Sequence, residues 1–106
     1  MTEKELLEFA AKAAGGKFES GCFFTIDGPD GDHQDGWNPR HDDGDCARME
    51  AAIGIGVMWF AQTVAAYKLI PKVEITEVYQ HHGNDRNKAR RYASTALAAK
   101  IGKAMQ

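Results

Sequence analysis

The chain has 106 residues, a formal charge of -2 and 43% apolar residues, which describes one ordinary folded domain spanning 1–106 and excludes a disordered polar tail. Leu, Ile, Val and Phe together number 19 against 16 Ala, so much of the buried volume has to come from small side chains. Two cysteines, Cys22 and Cys46, behind a charged amphipathic start point to free thiols in a reducing cytoplasm and not to a secreted disulfide scaffold.

Thr2 followed by Glu5 is a capping box and predicts a helix over 3–14, with Leu6, Phe9, Ala10, Ala13 and Ala14 on its buried face and Gly15-Gly16 as its stop. Phe18 to Ile26 is short and aromatic and reads as a strand. Residues 27–45 are dominated by Asp, Gly and Pro, the chemistry of turns, and read as one long loop in which Trp37 folds back over the core and Asn38-Pro39 fixes the turn. Asp42 or Asp43 caps a second helix with Cys46, Met49, Ala52 and Ile53 inward. The uncharged run Ala51–Tyr67 is short for a membrane span and holds two glycines, so it reads as a helix end followed by buried strand, with Val73–Tyr79 alternating at strand period behind it. Asn84 then caps a long C-terminal helix lined by Ala89, Tyr92, Ala93, Ala96, Leu97, Ile101 and Ala104. The expected architecture is α+β: an antiparallel sheet of about three strands packed with three helices, in the order α-β-α-β-β-α.

Charge is segregated along this layout. Residues 27–45 carry seven Asp and one Arg, whereas residues 85–106 carry six Lys or Arg and one Asp. His33, His41, Asp42, Asp43, Asp45, Cys46, His81, His82 and Asp85 have the oxygen and imidazole donors of a metal site, but their spacing matches neither a calcium loop nor a zinc pattern, and caps and turns account for the same residues. Metal binding by this loop is therefore an alternative only. Cys46 near a helix start is a candidate nucleophile opposed by the surrounding Asp residues, which raise a thiol pKa. With no serine elbow, phosphate loop or dinucleotide fingerprint in the sequence, the expectation is a protein with neither catalysis nor cofactor. Arg86, Lys88, Arg90 and Arg91 form a second alternative, a phosphate-reading face on the last helix.

The segment Trp37-Asn38-Pro39-x-x-Asp42-Asp43-Gly44-Asp45-x-x-Arg48 resembles a segment of small accessory proteins encoded by phages and prophages of proteobacteria. In the same register, Asp85, Ala89, Arg91, Ala93, Ile101 and Gly102 are similar to that group's Ala/Arg-rich closing helix, and the opening run Glu5–Gly15 is similar to its first helix, although Arg86 stands where the group has Pro and Cys46 where it has Ala. The resemblance implies a phage accessory protein working in the host bacterial cytoplasm, of the class that inhibits host proteins or defence complexes, anti-CRISPR proteins among them. On that reading the partner is a host protein, for instance a nucleic-acid-handling complex, and no membrane is involved. Asp35, Trp37, Arg40, Asp42, Asp43 and Asp45 would form an acidic surface with an aromatic anchor, since clustered carboxylates can imitate nucleic-acid phosphates. Complementary charge at the two ends of the chain also makes a homodimer an expectation.

Overall fold

The structure, a computed structural model, describes residues 1–19, 21–25, 33–70 and 72–105, with the side chains of 24, 25 and 33–35 outside that description. The capping box forms as the sequence predicts: the Glu5 N–H donates to Thr2 Oγ1 at 3.1 Å, and the Glu5 carboxylate accepts from the Thr2 N–H at 3.3 Å. That hydrogen bonding also holds the Glu5 carboxyl below its ordinary pKa. The helix it starts, α1 (Glu3–Ala13), buries Leu7, Ala10 and Ala11. Its inward face is thus rotated from the expected one, so that Leu7 takes the place expected of Leu6.

The first β block is more elaborate than one strand. Gly21, at φ +78°, turns the chain back on itself and splits the aromatic stretch into β1 (Gly16–Glu19) and β2 (Cys22–Thr25), paired antiparallel with Phe18 opposite Phe23. A third short strand, β3 (His33–Asp35), then pairs with β2 inside the segment expected to be all loop. The expected loop residues 27–32 lie outside the described residues.

Asp42 is the N-cap of α2 (Asp43–Ile53), which Gly54 ends in the left-handed conformation. Its buried residues are Asp45, Cys46, Met49, Glu50 and Ile53, whereas the expected Ala52 is exposed. A glutamate in that place needs a partner, and α3 supplies one, as described below.

The second β block is an antiparallel meander of β4 (Gly56–Trp59), β5 (Thr63–Leu69) and β6 (Lys72–Val78), in the order β4-β5-β6. Its register places Val57, Ala66 and Ile75 in one cross-strand row, and Met58, Ala65 and Thr76 in the next row on the opposite face. A 3-10 turn (Tyr79–His82) leads to α3 (Arg86–Ala104). The cap of α3 is Asp85, whose carboxylate accepts from the Lys88 N–H at 3.0 Å. The expected cap, Asn84, instead sits at φ +62° in the connecting turn.

The result is the α+β class in the expected block order α-β-α-β-β-α, with two three-stranded sheets where about three strands were expected. Helix α3 lies over β5 and β6, α1 packs along α3, and one core joins α1, α2, α3, Trp37 and the inner face of the second sheet. Small residues set that spacing: a Cβ at Gly102 would overlap the Phe9 carbonyl of α1, so only glycine lets the two backbones meet there. No helix among the described residues is long and apolar enough to cross a membrane.

Candidate functional site

The structure joins the acidic segment to the basic helix through one ion pair, Asp43 with Arg91. Every polar member of the Trp37–Arg48 motif has a local task. The Asn38 side chain accepts from the Arg40 N–H at 3.1 Å, while its carbonyl accepts from the N–H groups of His41 and Asp42. Asp42 accepts from the Asp45 N–H at 2.8 Å, and Asp45 accepts from the Asn38 N–H at 3.0 Å and from Arg48 at 2.6 Å. Asp43 pairs with Arg91 at 2.7 Å, and the same guanidinium donates to the Arg40 carbonyl at 3.0 Å.

Trp37 is 4% exposed, stacked on Phe23 with ring centroids 4.9 Å apart and tilted against Phe18 at 6.1 Å. Enclosed in this way it seals the core, and the expectation of Trp37 as a surface anchor is corrected: its indole has no free face to offer. Asp45 is likewise buried. Asp42 and Asp43 remain at the surface, and Asp35 stands opposite Cys22 in the β2–β3 register with its side chain outside the description.

Of the four cations expected to read phosphates, Arg90 and Arg91 are committed to carboxylates. Arg90 forms a two-point ion pair with Glu50, and Ser94 Oγ donates to the same carboxylate at 2.5 Å. This buried fork explains why Glu50 faces inward. It also holds Arg90 more firmly in its charged form, the hydrogen bond to Glu50 being the main cause. Cys46 lies beside the fork, and burial first, then the Glu50 charge, push its thiol up to about 12. A thiol protonated to that degree is no nucleophile at neutral pH.

The other two cations lie over rings. Arg86 is 5.1 Å from the Tyr79 centroid, and Lys88 is 5.9 Å from that of Tyr92. Tyr92 is a hub, with Arg40 at 4.0 Å over its ring and His82 at 4.7 Å. His82 contacts Glu77 at 3.3 Å, and His41 contacts Glu3 at 3.1 Å. A cleft of about 230 Å³ opens here among Glu3, Leu6, Arg40, Glu77, Tyr92 and Ala96. Its charges of opposite sign offset one another, which makes it a braced junction of α1, β6 and α3. Among the described residues no group of three His, Cys, Asp or Glu side chains is arranged to hold a metal ion.

Exposed apolar residues lie elsewhere: Leu69 and Ile70 at the β5–β6 turn, and a longer group with two aromatics at the end of β4, in the run expected to be buried strand. Met58, Trp59 and Phe60 are consecutive and 45%, 47% and 49% exposed. They end β4 at the turn into β5, and that turn is held from two directions by Tyr79, whose O–H donates to the Phe60 carbonyl at 2.8 Å and whose N–H donates to the Gln62 carbonyl at 3.0 Å. Beside the tip is a cavity of about 320 Å³ lined by Ala61, Gln62, Val78, Tyr79, Gln80 and Asn84. Because side chains alternate along a strand, Trp59 projects on the side of Val64 while Met58 and Phe60 project on the other, giving a blade with apolar residues on both faces. Two aromatics placed directly before the small-polar pair Ala61-Gln62 were the available signal for a strand ending in the open.

The chain matches no protein-family model, curated protein or solved structure. The resemblance rests on the Trp37–Arg48 segment, the closing helix and the opening helix, and in this chain the segment works as the device that starts α2 and plugs the core.

Proposed function

We propose that this protein acts by binding, without catalysis: a phage-type accessory protein that occludes a surface of a host protein or defence complex. The observation that carries the reading is the pinned tip with three consecutive exposed apolar residues, Met58, Trp59 and Phe60. Tryptophan and other aromatics are the residues that dominate binding energy when a partner covers them, and a tip already held in place loses little freedom on binding. The tip is the contact that holds the partner. Assignment to a phage and to an anti-defence role rests on the motif resemblance.

The test is a pull-down from nuclease-treated proteobacterial lysate with the native chain and with Trp59→Ser/Phe60→Ser. One complex recovered by the native chain and lost by the variant is the expected result. Recovery of no protein, or equal recovery by both, rejects the reading.

Nucleic-acid binding has one specific observation in its favour, the placement of Arg86 and Lys88 over tyrosine rings instead of against carboxylates. Fluorescence anisotropy with single-stranded and duplex oligonucleotides at low salt decides it, since that condition favours phosphate contacts most.

A further inference from the structure

The two edges of the second sheet are unlike. Strand β6 carries Lys72, Glu74 and Glu77, the charges that commonly keep an edge from pairing with another chain. Strand β4, Gly56-Val57-Met58-Trp59, has no charge and no proline. The hydrogen-bond parity of the sheet fixes which groups of β4 are open. Phe60 N–H donates to the Thr63 carbonyl, so residues 60, 58 and 56 direct their N–H and C=O groups toward β5. Val57 and Trp59 therefore direct theirs outward, and among the described residues nothing hydrogen-bonds to them. Among the strands of this sheet, helix α3 packs mainly over β5 and β6.

We infer that β4 is a self-pairing edge, through which two copies of this chain join antiparallel and merge their three-stranded sheets into one continuous sheet. The two-fold axis runs through the sheet at Met58. In that register Val57 pairs with Trp59 of the second copy and Trp59 with its Val57, so all four open N–H groups find carbonyl acceptors. The side chains fit by size. Trp59 stands opposite the smaller Val57, and Phe60 stands opposite Gly56, where it meets the Tyr67 ring that already lies over that glycine. Shifting the strands so that the axis falls at Trp59 sets indole against indole, and with the axis at Val57 only that residue's groups are paired directly across it. No like charges meet along β4. An edge of four residues buries less than the roughly 1,200 Å² of a standard stable interface, so the dimer is a reversible one that forms at concentrations on the order of 100 µM.

The dimer and a host partner would compete for Trp59 and Phe60, but the inference does not depend on the host-partner reading, because purified chain alone tests it. Sedimentation velocity from about 5 to about 500 µM should show monomer passing into dimer. Met58→Lys places two ammonium groups opposite each other at the axis and should weaken association at least about tenfold, with circular dichroism confirming the fold. A positive test uses Met58→Cys in a Cys22→Ser background. Directly opposed residues of a non-hydrogen-bonded pair have Cα atoms about 4.5 Å apart, within disulfide range, so oxidised glutathione should yield a covalent dimer, while Thr76→Cys in the same background should not. Monomer at every concentration, association unchanged by Met58→Lys, or equal cross-linking of the two cysteine variants would each overturn the inference.

Discussion

The chain has two tryptophans, and they are placed in opposite ways. Trp37 is sealed between Phe18 and Phe23 beneath the start of α2, surrounded by polar groups that are each paired locally. Trp59 stands half in solvent at the end of β4, on a turn that the protein holds in place without covering it. Burying an indole stabilises the fold, whereas an exposed indole on an ordered tip contributes little to it. The comparison separates what this fold uses for its own stability from what it leaves for an external contact, and it turns round the expectation that the acidic, tryptophan-bearing segment is the contact surface.

The largest test of that contrast removes the two rings in turn. Trp37→Ala should destabilise by about 3–5 kcal/mol, the usual result of truncating a large buried aromatic, and denaturant unfolding measures it. A Trp37→Phe variant leaves Trp59 as the reporter, and acrylamide should quench it strongly. The reciprocal Trp59→Phe variant should be quenched weakly, and similar quenching in the two would remove the distinction.

Next comes the buried fork. Glu50→Ala leaves the Arg90 guanidinium without its carboxylate and Ser94 without its acceptor, and should cost about 3 kcal/mol or more. Beside it, Cys46 adds an alkaline sensitivity. Its folded pKa is raised from the ordinary 9.0 to about 12, so its contribution is complete below about pH 9 and is lost as pH rises toward 12, because the unfolded chain releases that proton first. Cys46→Ala should flatten the fall in melting temperature over that window relative to the native chain.

A smaller effect falls on the helix cap. Asp42→Ala removes the acceptor for the Asp45 N–H and should cost about 1 kcal/mol, a fall in melting temperature of about 4–8 °C for a domain of this size. A variant that removes Asp42, Asp43 and Asp45 together would lose the cap and two ion pairs at once. Lost binding by that triple variant would therefore report unfolding as readily as a lost contact, which makes it a poor probe of an acidic surface.

What the sequence made legible follows from the range of the interaction concerned. The capping box at Thr2, the cap at Asp42, the turn at Asn38-Pro39 and the three helices depend on neighbours within a few residues, and they form where the local pattern places them. Glu50 was not legible as a buried residue, because the reason it faces inward is Arg90, 40 positions away. The orientation of α1 depends likewise on Gly102 admitting the Phe9 carbonyl from the far end of the chain. At the candidate site, an apolar run reads the same whether a strand is central or at an edge. Only the pairing order β4-β5-β6 places β5 inside and leaves β4 and its tip uncovered.

The smallest expected change in stability is the one that bears most directly on function. Trp59→Ser/Phe60→Ser removes two aromatic rings, yet about half of each residue is in solvent and the backbone bonds that hold the turn come from Tyr79 to the carbonyls of Phe60 and Gln62, which the substitution keeps. Stability should therefore stay within about 1 kcal/mol of the native chain, a smaller loss than that of the single Trp37→Ala change. If the pair proves as destabilising as Trp37→Ala, the tip is part of the core after all and the distinction between the two tryptophans fails. If stability holds while partner capture is lost, the rings are held in the open for a contact made outside the fold.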